Sequence, residues 1–474
     1  MGHISGEGRH QATLFPVMLD ELVGPDAMVR VIDAWVETLD MAALGFAKAQ
    51  TGGLGRPSYA PADLLKLYLS GYLNAVRSSR ALERECHRNV ECMWLLGRLA
   101  PDHKTIAEFR RCNSQALVAV CTAFVQFARG ERLIGGTILA IDGTKIRAVA
   151  SRKAICDAQA LERERAALNA EVDKYLQQLR DNDAREDATT PVEGNVGKSL
   201  KRLQKRQIEI AQEVDRLAQS RSTMAVRTEP EARVMKSLHG APGYNLQTAV
   251  DIDSHMIVHH ELCSDASDLR QLAPMAQASA RVLDARPVVV ADAGYANGEQ
   301  LHVLDSAGIT AYVAPCRAVN NQGDGGLYDK SVFAYDREQD AYTCPAGETL
   351  TRKGRHNRKM MMTYAGTSEV CGVCVLKKQC TSAARRFVSR HLYEDSLQAC
   401  AERVGARPEM MNLRRQTAEH PFATVKYQIL GNARLLVRGI RAAAGELSLA
   451  VLAYNLKRAV NIKGVTWMRQ ALQV

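Results

Sequence analysis

Two apolar, β-rich runs that each reach an aspartate constrain this chain more than any other feature: TILAIDGTKIRAVA from Thr137 and PVVVADAGYANGEQL from Pro287. The first contains an Asp-Gly step, so Asp142 is expected at or near the end of a buried strand. In the second, Asp292 follows VVVA directly and precedes Gly294. Between them, GYNLQTAVDIDSHMIVHHELCS reads as two strands joined by a turn at Asp253 and Ser254. A helix is expected near 268–284, another after Asp292, and then ITAYVAP as a further strand. This order predicts an α/β fold with a mixed central sheet. Strand ends on one sheet edge bring distant side chains together, as a divalent-metal site requires. Hard cations prefer carboxylate oxygens and retain waters, which leaves room for phosphate.

The flanking texture is helical. Residues 18–128 carry apolar residues at helical spacing, as in PADLLKLYLSGYLNAV and TIAEFRRCNSQALVAVCTAFVQFA. Ser78 or Ser79 is a candidate N-cap, with Arg80, Arg84, His87 and Arg88 near one face; Lys104, Arg110 and Arg111 follow in PDHKTIAEFRR. Short helices with clustered cations fit a DNA-binding domain, and equally a solvated basic face. Residues 157–218 switch to charged helix, with Leu161, Leu168, Val172, Tyr175 and Leu179, then Leu200, Leu203, Ile210, Val214 and Leu217, at heptad spacing. The polar linker DNDAREDATTPVEGNVGK between these runs predicts an antiparallel helical hairpin inserted between strands.

Length and charge narrow the class. A chain of 474 residues implies two or three structural units. No apolar run approaches the roughly 20 residues of a membrane span, and MGHISGEGRHQATLFP lacks a signal-peptide layout. The expectation is a soluble, intracellular, cytoplasmic protein with no membrane association. The net charge is +10, and from Ala346 onward there are 22 Lys plus Arg against 8 Asp plus Glu, which is +14 and leaves −4 for residues 1–345. That asymmetry suggests a polyanionic partner, with nucleic acid the commonest candidate.

The segment RRQTAEHPFATVKYQ, residues 414–428, supplies a third acidic residue. Steps of 4 and 11 residues return a helix to within about 40° of its start, so one helix would place Arg415, Glu419 and Lys426 on one face. Pro421 makes a single straight helix doubtful, and a kink or a restart there is expected. Here the chain resembles the bacterial insertion-sequence DDE transposases of the group with a Y-x2-R-x3-E-x6-K signature. Arg415, Glu419 and Lys426 match R-x3-E-x6-K, Asp142 in AIDGTKI and Asp292 in VVADAGY match the two aspartates, and Asn412 stands where the signature has tyrosine. PDHKTIAEFR, GYNLQTAVD, GNARLLVRGI and LAYNLKR extend the likeness over most of the chain.

The resemblance implies an RNase H-like catalytic core over 131–474, preceded by an all-α domain over 1–130 for DNA binding or dimerisation. The core would carry a helical-hairpin insertion at 151–235 and a Cys-rich insertion at 318–400. It further implies a homodimer acting on double-stranded DNA, at terminal inverted repeats and at a target. Asp142, Asp292 and Glu419 would be both catalytic residues and ligands of two Mg²⁺ (or Mn²⁺) ions, set about 3.5 to 4 Å apart. Water would cut a phosphodiester at the element's end, and the freed 3′-hydroxyl would attack target DNA. Arg415 and Lys426, then Lys145 and Arg147, would bind phosphates. Asp251, Asp253, Asp265 and Asp268 compete for the second position, but the first two read as a hairpin turn and the others as a loop and a helix cap. Two rival readings are a metal-dependent nuclease of related fold without strand transfer, and a non-catalytic DNA-binding derivative, which would not need the three carboxylates.

Of twelve cysteines, eight are scattered, while Cys344, Cys371, Cys374 and Cys380 fall in the insertion, in TCPAGETL and CGVCVLKKQC. Reduced, these four can either supply a tetrahedral structural Zn²⁺ site or remain free thiols.

Overall fold

The computed structural model describes residues 18–50, 57–183, 196–219, 223–315, 327–356 and 360–472. Among the described residues, a short 3-10 turn (Leu19–Leu22) precedes six α-helices: α1 (Met28–Glu37), α2 (Pro61–Leu73), α3 (Ser79–Arg88), α4 (Val90–Leu95), α5 (His103–Cys112) and α6 (Ser114–Gly130). Polar side chains start three of them. Ser78 accepts from the Ala81 N–H, Asn89 from those of Glu91 and Cys92, and Asp102 from those of Lys104 and Thr105. The expected cation cluster divides. Arg80, Arg84, His87, Arg88, Lys104 and Arg111 are exposed, but Arg110 is buried over the Tyr68 ring, 5.6 Å from its centroid, and belongs to the core.

The central sheet is built from β1 (Ile138–Arg147), β2 (Arg233–Met235), β3 (Ala241–Asp251), β4 (Ile257–Cys263), β5 (Val288–Ala291) and β6 (Ala311–Val313). Its order is β2-β3-β1-β5-β6, with β4 also paired to β3. β3 runs antiparallel to β1, β2 and β4, whereas β5 and β6 run parallel to β1, so the sheet is mixed as the element order predicts. Helices α9 (Leu272–Leu283) and α10 (Gly298–Ser306) make the crossovers before β5 and β6. Leading away from β1, α7 (Ala158–Asp183) and α8 (Val196–Gln219) pack on each other through Leu161 and Leu217 above a short ribbon pairing Ile155–Asp157 with Met224–Val226. Most of their linker lies outside the described residues.

One helix ties these parts together. α13 (Ile440–Lys463) is buried on nearly every side, packing against α2 and α6 and against β4. Its Asn455 amide pairs with β4 as a strand would, accepting from the Ile257 N–H at 2.9 Å and donating to the Ile257 carbonyl at 2.8 Å. The six N-terminal helices therefore share one apolar core with one face of the sheet, from Val23 through Leu139, Ile141, Val289 and Ala291 to Met468. A separate cluster covers the other face, where Ala140 and Val290 meet Met410 and Ala418 of α12 (Glu409–Ala418), the helix that follows α11 (Glu394–Ala406). No helix among the described residues is long and apolar enough to cross a membrane.

The Cys-rich stretch forms a second sheet that the sequence did not suggest. Its five antiparallel strands, β7 (Ala334–Asp336), β8 (Ala341–Thr343), β9 (Thr349–His356), β10 (Met361–Ala365) and β11 (Phe387–His391), have the order β11-β10-β9-β8-β7. Phe333, Tyr342, Leu350, Tyr364 and Val388 give it its own core.

Candidate active site

The register of β1 against β5 sets Asp142 and Asp292 side by side. The strands pair as Ile138 with Val288, Leu139 with Val289 and Ala140 with Val290. Continued two residues, the same register puts Asp142 beside Asp292, on neighbouring strands about 4.8 Å apart. Alternation also fixes their face. Leu139, Ile141, Val289 and Ala291 enter the main core, while Ala140 and Val290 face α12, so both aspartates follow on the α12 side. Asp142 is not at a strand end as expected, because β1 continues to Arg147 against β3; only its pairing with β5 stops at Ala140. Asp292 immediately follows β5 and caps the turn Ala293–Tyr295.

Each carboxylate has one oxygen fixed by its own backbone. The Gly143 N–H donates to Asp142 Oδ1 and the Gly294 N–H to Asp292 Oδ1, both at 2.8 Å. The two Oδ2 atoms meet at Arg414, whose Nη2 donates to Asp142 at 2.7 Å and to Asp292 at 3.4 Å. Burial pushes the Asp142 carboxyl up to about 6; Arg414 and the Gly143 N–H oppose this, and Asp292 and Asp268 add to it. The side chain of Asp142 is 13% exposed and that of Asp292 44%, so the pair opens outward from the sheet on the Asp292 side.

The helix face that meets these aspartates is not the one the spacing singled out. Met410 and Ala418 lie four residues to either side of Arg414 and pack on Ala140 and Val290, which turns Arg414 inward. Arg415 and Glu419, on the adjoining face, are exposed, and Glu419 makes no ion pair with any described residue. The break at Pro421 is present. α12 stops at Ala418, a short helix spans His420–Ala423 with Pro421 in its first turn, and Thr424–Ile429 is a π-helical turn. That turn widens the helix, so an eleven-residue count from Arg415 to Lys426 no longer measures one face. Lys426 is half-buried, and its pKa is lowered by burial, with Asp142 pulling it up and Lys145 down. It therefore stands in the field of Asp142 and Lys145.

Asp268 is the residue that sequence reasoning passed over. It looked like a loop or cap position, yet its carboxylate accepts from Lys145 Nζ at 2.9 Å, Asn245 Nδ2 at 2.7 Å and Gln247 Nε2 at 2.6 Å. Gln247 Oε1 in turn accepts from the Tyr295 hydroxyl at 2.6 Å. Lys145, expected on a phosphate, is thus held by Asp268 within this network, and Arg147 is exposed. The usable signal was the i, i+2 pair Asn245 and Gln247 in GYNLQ, which puts two amides on one strand face opposite Lys145 and Gly143. Gly143 has no room for a side chain, since a Cβ there would lie 2.6 Å from Asp268 Oδ1 and closer still to Gln247 Nε2. Gly143→Ala is expected to cost about 1–3 kcal/mol by overpacking and to displace Asp142, read as a lower unfolding midpoint with strongly reduced activity.

Residues 135–456 match the family described as the transposase DDE domain, and residues 17–112 match a transposase domain, DUF772. The chain belongs to the DDE transposase family. The match spans the whole central sheet, both aspartates, Glu419 and most of α13. The protein is a DNA transposase, an enzyme of the polynucleotidyl-transferase type, and its family typically uses divalent metals. A comparison with curated proteins gave no match.

Among the described residues no group of three or more His, Cys, Asp or Glu is gathered closely enough to hold a metal. Glu419 is therefore not drawn in beside the aspartates in this transposase as it stands. The four cysteines of the second sheet, Cys344, Cys371, Cys374 and Cys380, line one cavity of about 230 Å³ together with Lys377 and Arg386. Burial holds the Cys380 thiol above its ordinary value, with Arg386 opposing and the other three cysteines adding.

Proposed function

We propose that Asp142 and Asp292, joined by Glu419, form the catalytic centre of this transposase and bind Mg²⁺ or Mn²⁺ as two ions. The observation that carries the reading is the convergence of the two Oδ2 atoms on a single cationic group, with both Oδ1 atoms tied back to backbone N–H groups. Carboxylates held this way present hard oxygen donors to one place, the donor set such ions prefer. Asp142, Asp292 and Glu419 would hold the ions, which would supply charge stabilisation to the attacking and leaving oxygens of a phosphodiester. Asp142, within β1, and Asp292, just past the end of β5, are the rigid part of the site. Glu419, at the junction before Pro421, is the part that closes. Lys426, Arg415 and Arg147 bind phosphates of the strand being cut, and Lys145 orients Asp268 and lends its charge to the same strand end.

The α/β core is read as RNase H-like, with residues 1–130 as the DNA-binding or dimerising part and 151–235 and 318–400 as insertions. The substrates are the inverted-repeat ends of the element and a target duplex, engaged by a homodimer. Cleavage of an end-bearing duplex by the full chain with Mg²⁺, followed by joining to a second duplex, tests this reading. Cleavage without any joined product would favour a nuclease.

The four cysteines of the second sheet are proposed as a structural zinc site. Their donor type suits Zn²⁺ and they line one cavity. Elemental analysis of protein purified without chelator is expected to give about one zinc per chain. A stoichiometry near zero removes the site.

A further inference from the structure

We propose that Arg414 is a built-in counter-cation, holding the place between Asp142 and Asp292 until a divalent ion displaces it. The proposal rests on reading those aspartates as metal ligands. With each Oδ1 committed to a glycine N–H, the Oδ2 atoms are the free acceptors, and both are directed at Arg414 Nη2, at 2.7 and 3.4 Å. One nitrogen thus stands where a bridging cation would stand. A guanidinium and a metal ion cannot occupy the same two oxygens, so each excludes the other.

The contact is positioned by packing, and it leaves the guanidinium only partly paired. Met410 and Ala418, one turn to either side, anchor α12 on the sheet and aim Arg414 at the aspartates. Arg414 Nε is buried and has no hydrogen-bond partner among the described residues. The two carboxylates that share its Nη2 are what hold the side chain. Two functions follow. Without metal, Arg414 neutralises two adjacent carboxylates that would otherwise repel, so the site stays formed. When metal enters, the released guanidinium finds in a DNA phosphate the bidentate partner it lacked, which favours metal loading on DNA-bound enzyme.

The test is calorimetric titration of Mn²⁺ into the full chain without DNA, with thermal unfolding measured in the absence and presence of Mn²⁺. Arg414→Gln removes the charge, and Arg414→Met removes it with a side chain suited to the apolar face between Met410 and Ala418. Both variants are expected to bind Mn²⁺ roughly tenfold tighter than the parent, the scale of one lost charge-assisted contact. They should unfold at lower temperature without metal and gain more than the parent from Mn²⁺. Asp142→Asn separates the two ideas. If it loses Mn²⁺ binding while neither Arg414 variant binds more tightly, the counter-cation proposal falls and the site stands. If it takes up Mn²⁺ as the parent does, the site assignment falls and takes the proposal with it. Weaker binding in the Arg414 variants also overturns the proposal and makes Arg414 a support for the metal.

Discussion

Asp142→Asn is expected to abolish metal-dependent cleavage of an end-bearing duplex, by about 10³-fold or more, while DNA binding is retained. The amide keeps the size of the carboxylate and an oxygen that can still accept from the Gly143 N–H, so β1 and its register should survive. What is lost is the negative oxygen directed away from the backbone, at present held by Arg414. Removing a negative charge from a surface that approaches phosphates should leave duplex affinity equal or slightly higher. Asp292→Asn and Glu419→Gln are expected to give the same loss, the latter with no change in unfolding midpoint because Glu419 is exposed. End-nicking measured beside a gel-shift titration checks all three. Cleavage at the parental rate by any of them rejects that residue as part of the site.

Much of this was open to inspection in the sequence because it rests on local pattern. Apolar runs broken by Asp and Gly mark β1 and β5, and the hairpin around Asp253 and Ser254 gives β3 and β4, since period and turn chemistry depend on neighbours a few residues apart. Pro421 announces the helix break for the same reason. What could not be read is which face of α12 turns inward. Spacing relates Arg415 to Glu419, but packing chooses, and it chose the face on which Met410 and Ala418 flank Arg414. Asp268 escaped because its three donors come from β1 and β3, more than 20 residues away in each case. The second sheet escaped too. Its strands are short or largely exposed, so the alternation that betrays a half-buried strand is weak in β9, where only Leu350 is buried.

The other large effect is expected far from the carboxylates. Glu446 on α13 is fully buried and accepts from Arg77 at 3.0 Å and from the Leu436 and Val437 N–H groups at 2.9 and 3.2 Å. Arg77, between α2 and α3, also donates to the carbonyls of Leu430 and Arg434. Together they pin residues 430–437 to the helical part of the molecule. That segment leads directly out of the π-helical turn bearing Lys426, and it lies along the end of β1, where the Arg147 N–H donates to Ala433 at 2.9 Å and Leu435 donates back at 2.9 Å. Glu446→Ala strands a buried guanidinium and two backbone N–H groups, and should cost about 3–5 kcal/mol. Arg77→Met should cost a similar amount by leaving the carboxylate unpaired. The double variant Arg77→Met with Glu446→Leu removes both charges and should be less destabilised than the sum of the singles. It should not return to the parent, because the orphaned carbonyls and N–H groups each still cost about 1–3 kcal/mol. The three tryptophans, Trp35, Trp94 and Trp467, all lie in the helical parts, so their fluorescence in a urea titration reports this junction. A cost below about 1 kcal/mol for Glu446→Ala would mean that water reaches the pair, and that other contacts, apolar packing and the Asn455 amide among them, join the helical part to the sheet.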